Sequence, residues 1–415
     1  MEIVEDIVIV GAGIAGLTTC LGLHRLGLRS LVLESWDCLR VTGFSFVTWT
    51  NAWKALDALG IGDSLRQQHY RIQGSVTISS ASGLPVSQFS YDAQGKHGDH
   101  EVRCVQRKVL LEALANELPP GTIRFSSNVV SIEESGYWKL VHLEDGSILK
   151  TKVLIGCDGV NSVVAQWLGL QRPTFTNRWS TRGFLEFPDG HGFEPKFLQF
   201  NGDGFRSGFL PCTQNSIYWF FTWTSSSDQY NDVTKNLAKM KQFVQSNLGK
   251  VPKEVKDVVE KTNLKSIISS PLRFRWPFNV LWGNTFKDNV CVAGDALHPM
   301  TPDIGQGGCS ALEDGIVLAR CLAEAWSTKP KVEINMKFEE EEGEEYQKIK
   351  KALEKFANER KWRSFELIST AYIVGFIQQS NGKIITFLRN KLLSPFIAKL
   401  SLKKADFDCG KLQFS

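Results

Sequence analysis

The sequence lacks the features that would place it in several large classes of protein. Its nine cysteines include no CxxC pair, which argues against a structural zinc site or a disulfide framework and favours reduced, buried thiols. Its apolar runs are all shorter than the roughly 18 residues that a membrane-spanning helix needs. No basic stripe accompanies the small net charge of +4, so nucleic acid is not expected as a partner.

Targeting signals are also missing. The first predicted strand begins at Ile7, which leaves no room for a signal peptide before it, and the C-terminal Leu-Gln-Phe-Ser matches no targeting address. We therefore expect a cytoplasmic protein. With 42% hydrophobic and 22% charged residues over 415 positions, the chain has an ordinary globular composition and enough length for two or three domains.

A glycine-rich motif follows the first predicted strand. It has the form GxGxxG, it opens a predicted helix over residues 14–26, and an acidic residue ends the next predicted strand. The three glycines allow a tight turn, close approach of a pyrophosphate and close packing of the helix, while the helix N-terminus binds phosphate and the acid binds ribose. The alternative is a glycine turn without a ligand. The predicted dinucleotide-binding residues are Gly11, Gly13, Ile14, Ala15, Gly16 and Glu34.

A second glycine-rich region lies almost 300 residues later. Gly294-Asp295 follows a predicted strand over residues 290–293, and Gly305-Gln306-Gly307-Gly308 precedes a predicted helix. Two such regions at opposite ends of the chain indicate one long ligand held at both ends, which favours a flavin. Because no second GxGxxG motif follows a strand, the chain binds either NAD(P) alone or FAD with a transiently bound nicotinamide.

Hydrophobic periodicity indicates how the chain is organised. A hairpin is predicted around residues 76–89, residues 180–285 have short alternating runs typical of antiparallel strands, and the sequence from about 335 onward is typical of helices. The predicted segments are a FAD-binding domain in three parts (1–71, 101–172 and 286–330), a substrate-domain hairpin (72–100), the substrate domain (173–285) and a C-terminal helical region (331–415).

These motifs together resemble the class A, single-component FAD-dependent monooxygenases. This family includes salicylate, para-hydroxybenzoate and urate hydroxylases and zeaxanthin epoxidase, and the similarity is greatest to the plant members. Besides the first motif, the resemblance rests on Asp158-Gly159 and Gly294-Asp295, and it covers nearly the whole chain. It implies an α/β fold with a Rossmann-like FAD-binding domain of the para-hydroxybenzoate hydroxylase type, an inserted mostly antiparallel substrate domain and a C-terminal helical segment.

The resemblance also implies roles for individual residues. Asp158 would lie near FAD and the arriving NADPH or NADH, and Asp295 would hold ribityl or ribose hydroxyls. Val163-Val-Ala165 stands where the family usually has an arginine, so the choice between NADPH and NADH stays open. The remaining cofactor-binding residues implied by the family are Arg40, Arg107, Val130, Pro299, Gly305, Gln306, Gly307 and Gly308.

On the substrate side, Arg206 and Tyr218 resemble the arginine–tyrosine pair of urate hydroxylase, and Pro299 joins them as a candidate catalytic residue. A hydrogen bond between Arg206 and Tyr218 is the structural alternative. The family reduces FAD with NAD(P)H, forms a C4a-hydroperoxyflavin from O2, and hydroxylates or epoxidises a small aromatic or unsaturated substrate without a metal. A flavin oxidase or dehydrogenase and a non-catalytic flavin-binding protein are the competing hypotheses.

Two further questions stay open from the sequence. The apolar, basic segment from Ile384 to Leu400 either docks on the main body or makes a peripheral membrane contact. The oligomeric state is either a monomer or a homodimer.

Overall fold

The computed structural model describes residues 3–202, 204–224, 236–327, 338–379 and 394–413. The helices in these ranges are α1 (Ile14–Arg25), α2 (Thr50–Leu59), α3 (Gly62–Gln68), α4 (Arg107–Asn116), α5 (Val163–Trp167), α6 (Leu237–Asn247), α7 (Lys253–Lys261), α8 (Pro277–Trp282), α9 (Gly307–Ser327), α10 (Phe338–Gln379) and α11 (Ser394–Ala405). The strands are β1 (Ile3–Val10), β2 (Leu31–Leu33), β3 (Ser45–Thr48), β4 (Gly74–Ser79), β5 (Pro85–Ser90), β6 (Gln94–Gly95), β7 (Gly98–Asp99), β8 (Arg103–Gln106), β9 (Ile123–Arg124), β10 (Val129–Ser135), β11 (Trp138–Leu143), β12 (Ile148–Gly156), β13 (Thr174–Glu186), β14 (Lys196–Asn201), β15 (Phe205–Thr213), β16 (Ser216–Thr224), β17 (Ile267–Phe274), β18 (Phe286–Lys287) and β19 (Val290–Val292).

The first large sheet, which has eight strands among the described residues, contains the predicted βαβ unit. Its order is β10-β11-β12-β1-β2-β9, and β19 lies beside β12 with β18 at its edge. β1 runs parallel to both β2 and β12, and β19 runs parallel to β12. The β-branched run Ile7–Val10 is buried throughout, as expected for a strand covered on both faces. This sheet confirms the predicted α/β fold class.

Helices α1 and α9 pack against each other beside this sheet, and small residues bring their backbones close. A Cβ atom at Gly22 would stand 2.8 Å from the Cβ of Ala319, and one at Gly315 would stand 2.4 Å from the Cγ2 of Thr18. The two helices therefore run side by side in the same direction, so their N-termini lie at the same end of the pair. These N-termini belong to the two glycine-rich regions, Gly11–Gly16 and Gly305–Gly308.

The second large sheet has seven strands in the order β17-β13-β16-β15-β14-β4-β5. All neighbours are antiparallel except β14 and β4, which are parallel. The predicted hairpin is confirmed as β4–β5, and it joins the edge of this sheet. Along β16, Trp219 and Phe221 pack under α6 and α7, whereas Tyr218 belongs to the core shared with the first sheet. The domain boundaries stay a prediction.

The C-terminal helices pack on this body. The predicted apolar stripe on α10 is confirmed, because Ile349, Leu353 and Phe356 are buried and the ring of Tyr346 lies 4.9 Å from that of Tyr137. Of the segment from Ile384 to Leu400, residues 384–393 lie outside the described residues. The described part belongs to α11, where Ile397 is buried. None of the described helices is both long and apolar enough to cross a membrane.

Candidate flavin and substrate sites

A cavity of about 380 Å³ lies at the carboxyl ends of β1, β2 and β12. It brings together residues that are far apart in the sequence, from the first glycine turn to the turn after β19. The predicted cofactor-binding residues that line it are Gly11, Gly13, Glu34, Arg40, Arg107, Asp158 and Asp295. The carboxyl ends of parallel strands at a change of strand order are the usual ligand site of such a sheet.

The three glycines of the first motif are required for different reasons. Gly11 has φ +101°, and a Cβ atom there would stand 2.6 Å from the carbonyl oxygen of Cys157. A Cβ atom at Gly16 would stand 1.9 Å from the carbonyl oxygen of Gly11, so packing alone excludes a side chain at these two positions. Gly13 has no atom within 4 Å of its added Cβ, and it faces the cavity. The space in front of Gly13 fits a pyrophosphate.

The carboxylate of Glu34 is fixed at the end of β2. One oxygen accepts a hydrogen bond from the backbone N–H of Ala12 (2.8 Å), and the other accepts one from the backbone N–H of Trp36 (3.1 Å). A carboxylate has about four acceptor sites. Glu34 therefore keeps capacity for a ribose hydroxyl while it fixes the first turn.

Two buried polar atoms at this cavity have no protein partner. The Oδ2 atom of Asp158 accepts a hydrogen bond from the N–H of Val163 (2.7 Å), but its Oδ1 atom has no partner. The Nε atom of Arg107 is also buried without a partner. Burial raises the pKa of Asp158 and lowers the pKa of Arg107. Because buried polar groups are normally satisfied, these atoms fit a bound polar ligand.

The turn after β19 carries Asp295 into the cavity, and a buried charge network fixes this turn. The Oδ2 atom of Asp314 accepts hydrogen bonds from the N–H of Gly294 and from the Nε2 of His298, both at 2.7 Å. The Oδ1 atom of Asp314 pairs with Arg360 at 2.6 Å. Burial alone would lower the pKa of His298, but Asp314 outweighs it and raises this pKa. His298 therefore has a structural partner, is fully buried and does not line the cavity.

The later glycine loop is equally well held. Gly305 has φ +64°, and a Cβ atom there would stand 2.9 Å from the indole nitrogen of Trp49. The Oε1 atom of Gln306 accepts a hydrogen bond from Asn51 (2.8 Å). Pro299 is buried, and its carbonyl oxygen accepts a hydrogen bond from the N–H of Arg275. The helix predicted after Gly308 begins slightly earlier, at Gly307.

Several predicted residues do not line the cavity. Ile14, Ala15 and Gly16 are buried within α1. Val130 is 50% exposed and stands outside the lining, whereas the neighbouring Val129 lies in it. Sequence reasoning missed Ser127 and Asn128, which also line the cavity, because nothing in their local pattern distinguishes them from ordinary loop residues.

A second cavity, of about 70 Å³, lies between the second sheet, the loop over residues 302–305 and the C-terminal helices. Arg206 and Gly305 line it, together with aromatic side chains. Tyr218 does not. Tyr218 instead lies in the core between the sheets, where burial raises its pKa to about 12. The aromatic residues of the lining are Trp49, Phe89, Tyr91, Phe197 and Phe220.

Arg206 belongs to a buried ion cluster that sequence reasoning missed. Asp303 forms two hydrogen bonds with Arg178, at 2.9 and 2.6 Å, and its Oδ1 atom lies 3.8 Å from Arg206. Arg206 also donates to Gln199 (2.8 Å) and lies over the ring of Phe220 at 5.3 Å. Burial alone would raise the pKa of Asp303, but the two guanidinium groups lower it. Asp303 therefore pairs with Arg178 and also attracts Arg206.

Comparisons with known proteins agree with this geometry. The family described as FAD binding domain matches residues 5–344. Monooxygenase 2 of Arabidopsis thaliana is 55% identical over 98% of both chains. The chain belongs to the class A FAD-dependent monooxygenases. This class A monooxygenase is also 26% identical to an FAD-dependent urate hydroxylase of Klebsiella pneumoniae over 75% of this chain and 79% of that one. FAD is therefore its cofactor.

Solved structures show the same fold. Klebsiella pneumoniae HpxO complexed with FAD and uric acid superposes with a TM-score of 0.81, covering 98% of each chain at 21% identity. The PqsL protein of Pseudomonas aeruginosa superposes with a TM-score of 0.72 at 17% identity, over 95% of this chain and 99% of that one. At these identities the likeness concerns the fold alone. It confirms the architecture that the sequence resemblance predicts.

Proposed function

We propose that this monooxygenase uses NAD(P)H and O2 to hydroxylate or epoxidise a small aromatic or unsaturated metabolite. The observation that carries the proposal is that one short segment of the chain reaches both cavities. Asp295 lines the first cavity and Gly305 lines the second, and only nine residues separate them. A cofactor held in the first cavity would then meet a substrate held in the second.

FAD, when bound, supplies the activation of O2 and the transfer of one oxygen atom. The protein itself would bind and orient the cofactor and the substrate and exclude water from them. Gly13 would admit the pyrophosphate, Glu34 and Asp295 would bind hydroxyl groups, and Asp158 and Arg107 would satisfy their buried polar atoms on the cofactor. The N-terminus of α9, at Gly307, would stabilise negative charge on the bound group.

The second cavity supports an aromatic substrate with an anionic or carbonyl group. Its aromatic walls suit a flat ring. Because Arg206 lines this cavity and its buried Nε atom has no protein partner, it would bind a negative charge or a polarised oxygen. Tyr218 does not line this cavity, so it would affect the substrate only indirectly, by positioning Phe220, whose ring centre lies 6.4 Å from that of Tyr218.

A third cavity, of about 240 Å³, supports the use of a nicotinamide co-substrate. It shares Val160 and Asn161 with the flavin cavity, so a single turn separates the two. Arg172, Arg273 and Arg275 line it, and its described lining contains no carboxylate. Arg275 donates to the backbone carbonyl oxygens of Leu297, Gln171 and Ala296, so Arg172 and Arg273 would bind a phosphate-bearing ligand. We propose that NADPH or NADH docks here before it reduces the flavin.

The test is product analysis with labelled oxygen. The FAD-loaded protein would be supplied with NADPH or NADH, ¹⁸O2 and a panel of aromatic acids and heteroaromatic compounds. We expect flavin bleaching by the nicotinamide and one ¹⁸O atom in the product. Product that has lost hydrogen without gaining ¹⁸O would indicate an oxidase or dehydrogenase. A flavin that no nicotinamide reduces would indicate a non-catalytic flavin-binding protein.

A further inference from the structure

The C-terminal helices supply part of the wall of the second cavity. Gln378 lies near the end of α10, and Ile397, Ala398 and Ser401 lie on α11. All four residues lie beyond residue 344, where the match to the FAD binding domain ends. The shared cofactor domain therefore does not dictate this part of the wall, which makes it free to differ between enzymes with the same chemistry.

We propose that α11 determines which substrates this monooxygenase accepts, with Ile397 and Ser401 as the specificity residues. This inference rests on the proposed function, because it assumes that the second cavity holds the substrate. It nevertheless makes a claim of its own, because it assigns substrate selectivity to a helix that contributes no residue to the lining of the flavin cavity.

Ile397 is held where its size matters. It is 8% exposed and packs with Leu367, Ala371 and Val374 of α10. The same cluster includes Ile304, which precedes Gly305 in the loop between the two cavities. A change of volume at Ile397 would therefore alter both the width of the second cavity and the support of this loop.

Buried contacts also hold the end of α11 in place. Arg363 of α10 donates a hydrogen bond to the carbonyl oxygen of Lys404 (2.7 Å) and pairs with Glu313 of α9 (2.8 Å). Lys404 in turn pairs with Glu366. Because α9 begins at the glycine loop, one chain of contacts joins that loop, α10 and α11. These contacts hold α11 in place, so it presents a defined set of side chains to the second cavity.

Ser401 provides the polar selectivity of this wall. Its hydroxyl donates a hydrogen bond to the carbonyl oxygen of Ile397 at 3.0 Å, so its oxygen is left to accept one. Arg206 requires an anionic or acceptor group on the ligand, whereas Ser401 favours an O–H or N–H donor. We therefore infer an aromatic substrate that carries both kinds of group, such as a ring acid with a hydroxyl or amino substituent.

The experiment compares ligands that differ by one hydroxyl. Benzoate, 3-hydroxybenzoate and 4-hydroxybenzoate would be titrated into the FAD-loaded enzyme, with binding followed by flavin absorbance and calorimetry. In Ser401→Ala we expect the better hydroxybenzoate to bind about fivefold more weakly, with benzoate unchanged, as for the loss of one neutral hydrogen bond. Ile397→Val should favour bulkier ring substituents, and Lys399→Ala, on the exposed side of α11, is the control.

Two results would overturn the role of Ser401 and α11. One is an equal change in the affinities for benzoate and both hydroxybenzoates in Ser401→Ala, and the other is the same pattern of affinities in Lys399→Ala. If none of the three anions binds to the wild-type enzyme while NAD(P)H still bleaches its flavin, the assignment of the substrate to this cavity is wrong, and the role of α11 is lost with it. If no nicotinamide reduces the flavin, the proposed function itself fails.

Discussion

Arg178 and Asp303 form a two-point ion pair at the centre of the protein, with Nη1–Oδ2 at 2.9 Å and Nη2–Oδ1 at 2.6 Å. Arg178 comes from β13 and Asp303 from the loop before Gly305, 125 positions later. The backbone carbonyl of Asp303 also lies 3.4 Å from a guanidinium nitrogen of Arg206. This pair therefore fixes the second sheet to the loop that separates the flavin cavity from the second cavity.

The first prediction concerns the charge of Asp303. In Asp303→Asn the shape is kept but the carboxylate is lost, so Arg178 loses its buried ion pair and Arg206 loses the nearby negative charge. Breaking a buried pair in this way lowers the free energy of unfolding by about 3–5 kcal/mol. Urea unfolding of the FAD-free protein measures the change.

The matched control is Asp63→Asn, because Asp63 pairs with Arg66 at 3.0 Å but has a side chain that is 93% exposed. An exposed pair contributes about 0–1 kcal/mol. Equal effects of the two substitutions would show that burial does not determine the role of Asp303.

Local pattern was sufficient for the framework of the fold. Ile7–Val10 is β-branched and precedes a glycine turn, and the hairpin around residues 76–89 alternates in hydrophobicity. Both patterns depend on neighbouring residues, and both elements are present. The glycine motif could be interpreted because its three positions have separate steric requirements.

The partners of buried charges could not be predicted in this way. Nothing in the local sequence distinguishes Arg178, Asp303 and Arg360. Their roles depend on contacts with residues more than 40 positions away in the chain. The same holds for Ser401, which reaches the second cavity only because α11 folds back over it. Tyr218 shows the limit of reasoning from spacing, since it lies one strand away from Arg206 but does not line the same cavity.

The second prediction separates the glycines by their surroundings. Gly16→Ala would place a methyl group 1.9 Å from the carbonyl oxygen of Gly11, and overpacking of this kind costs about 1–3 kcal/mol. Gly13→Ala meets no protein atom, so the unfolding free energy of the FAD-free protein should change by less than about 0.5 kcal/mol.

The FAD content of Gly13→Ala is expected to change even though its stability does not. Gly13→Ala should retain less FAD on purification and bind it more weakly, because its methyl group occupies the space in front of the turn. A Gly13→Ala protein that is fully loaded with FAD would contradict the assignment of that space to the pyrophosphate.

The third prediction concerns the arginine-lined cavity. Arg273→Gln should raise the dissociation constant of NADP⁺ or NAD⁺ and the KM of the reduced nucleotide roughly tenfold or more, since a charge-assisted hydrogen bond contributes about 1.5–3 kcal/mol. The visible spectrum of bound FAD should not change. Lys265→Gln is the control, because Lys265 is exposed and stands outside the lining.

The two nucleotides distinguish the ligand further. A loss confined to NADPH would place its additional phosphate beside Arg273, whereas equal losses would place the shared pyrophosphate there. Unchanged binding of both nucleotides in Arg273→Gln would remove this cavity from the proposed function.

The fourth prediction concerns the thiols. All nine cysteines are free, and Cys38 is exposed whereas the other eight are buried. A disulfide reagent such as DTNB should therefore modify one thiol rapidly in the native protein and nine after unfolding.

The hydrogen bond and the negative charge of Asp37 raise the pKa of Cys38 above its ordinary value. Since the thiolate is the reactive form, modification at pH 8 should be slower than for a free cysteine and should accelerate as pH rises. Asp37→Asn should lower this pKa and speed the reaction at pH 8, and an unchanged rate would show that Asp37 does not control Cys38.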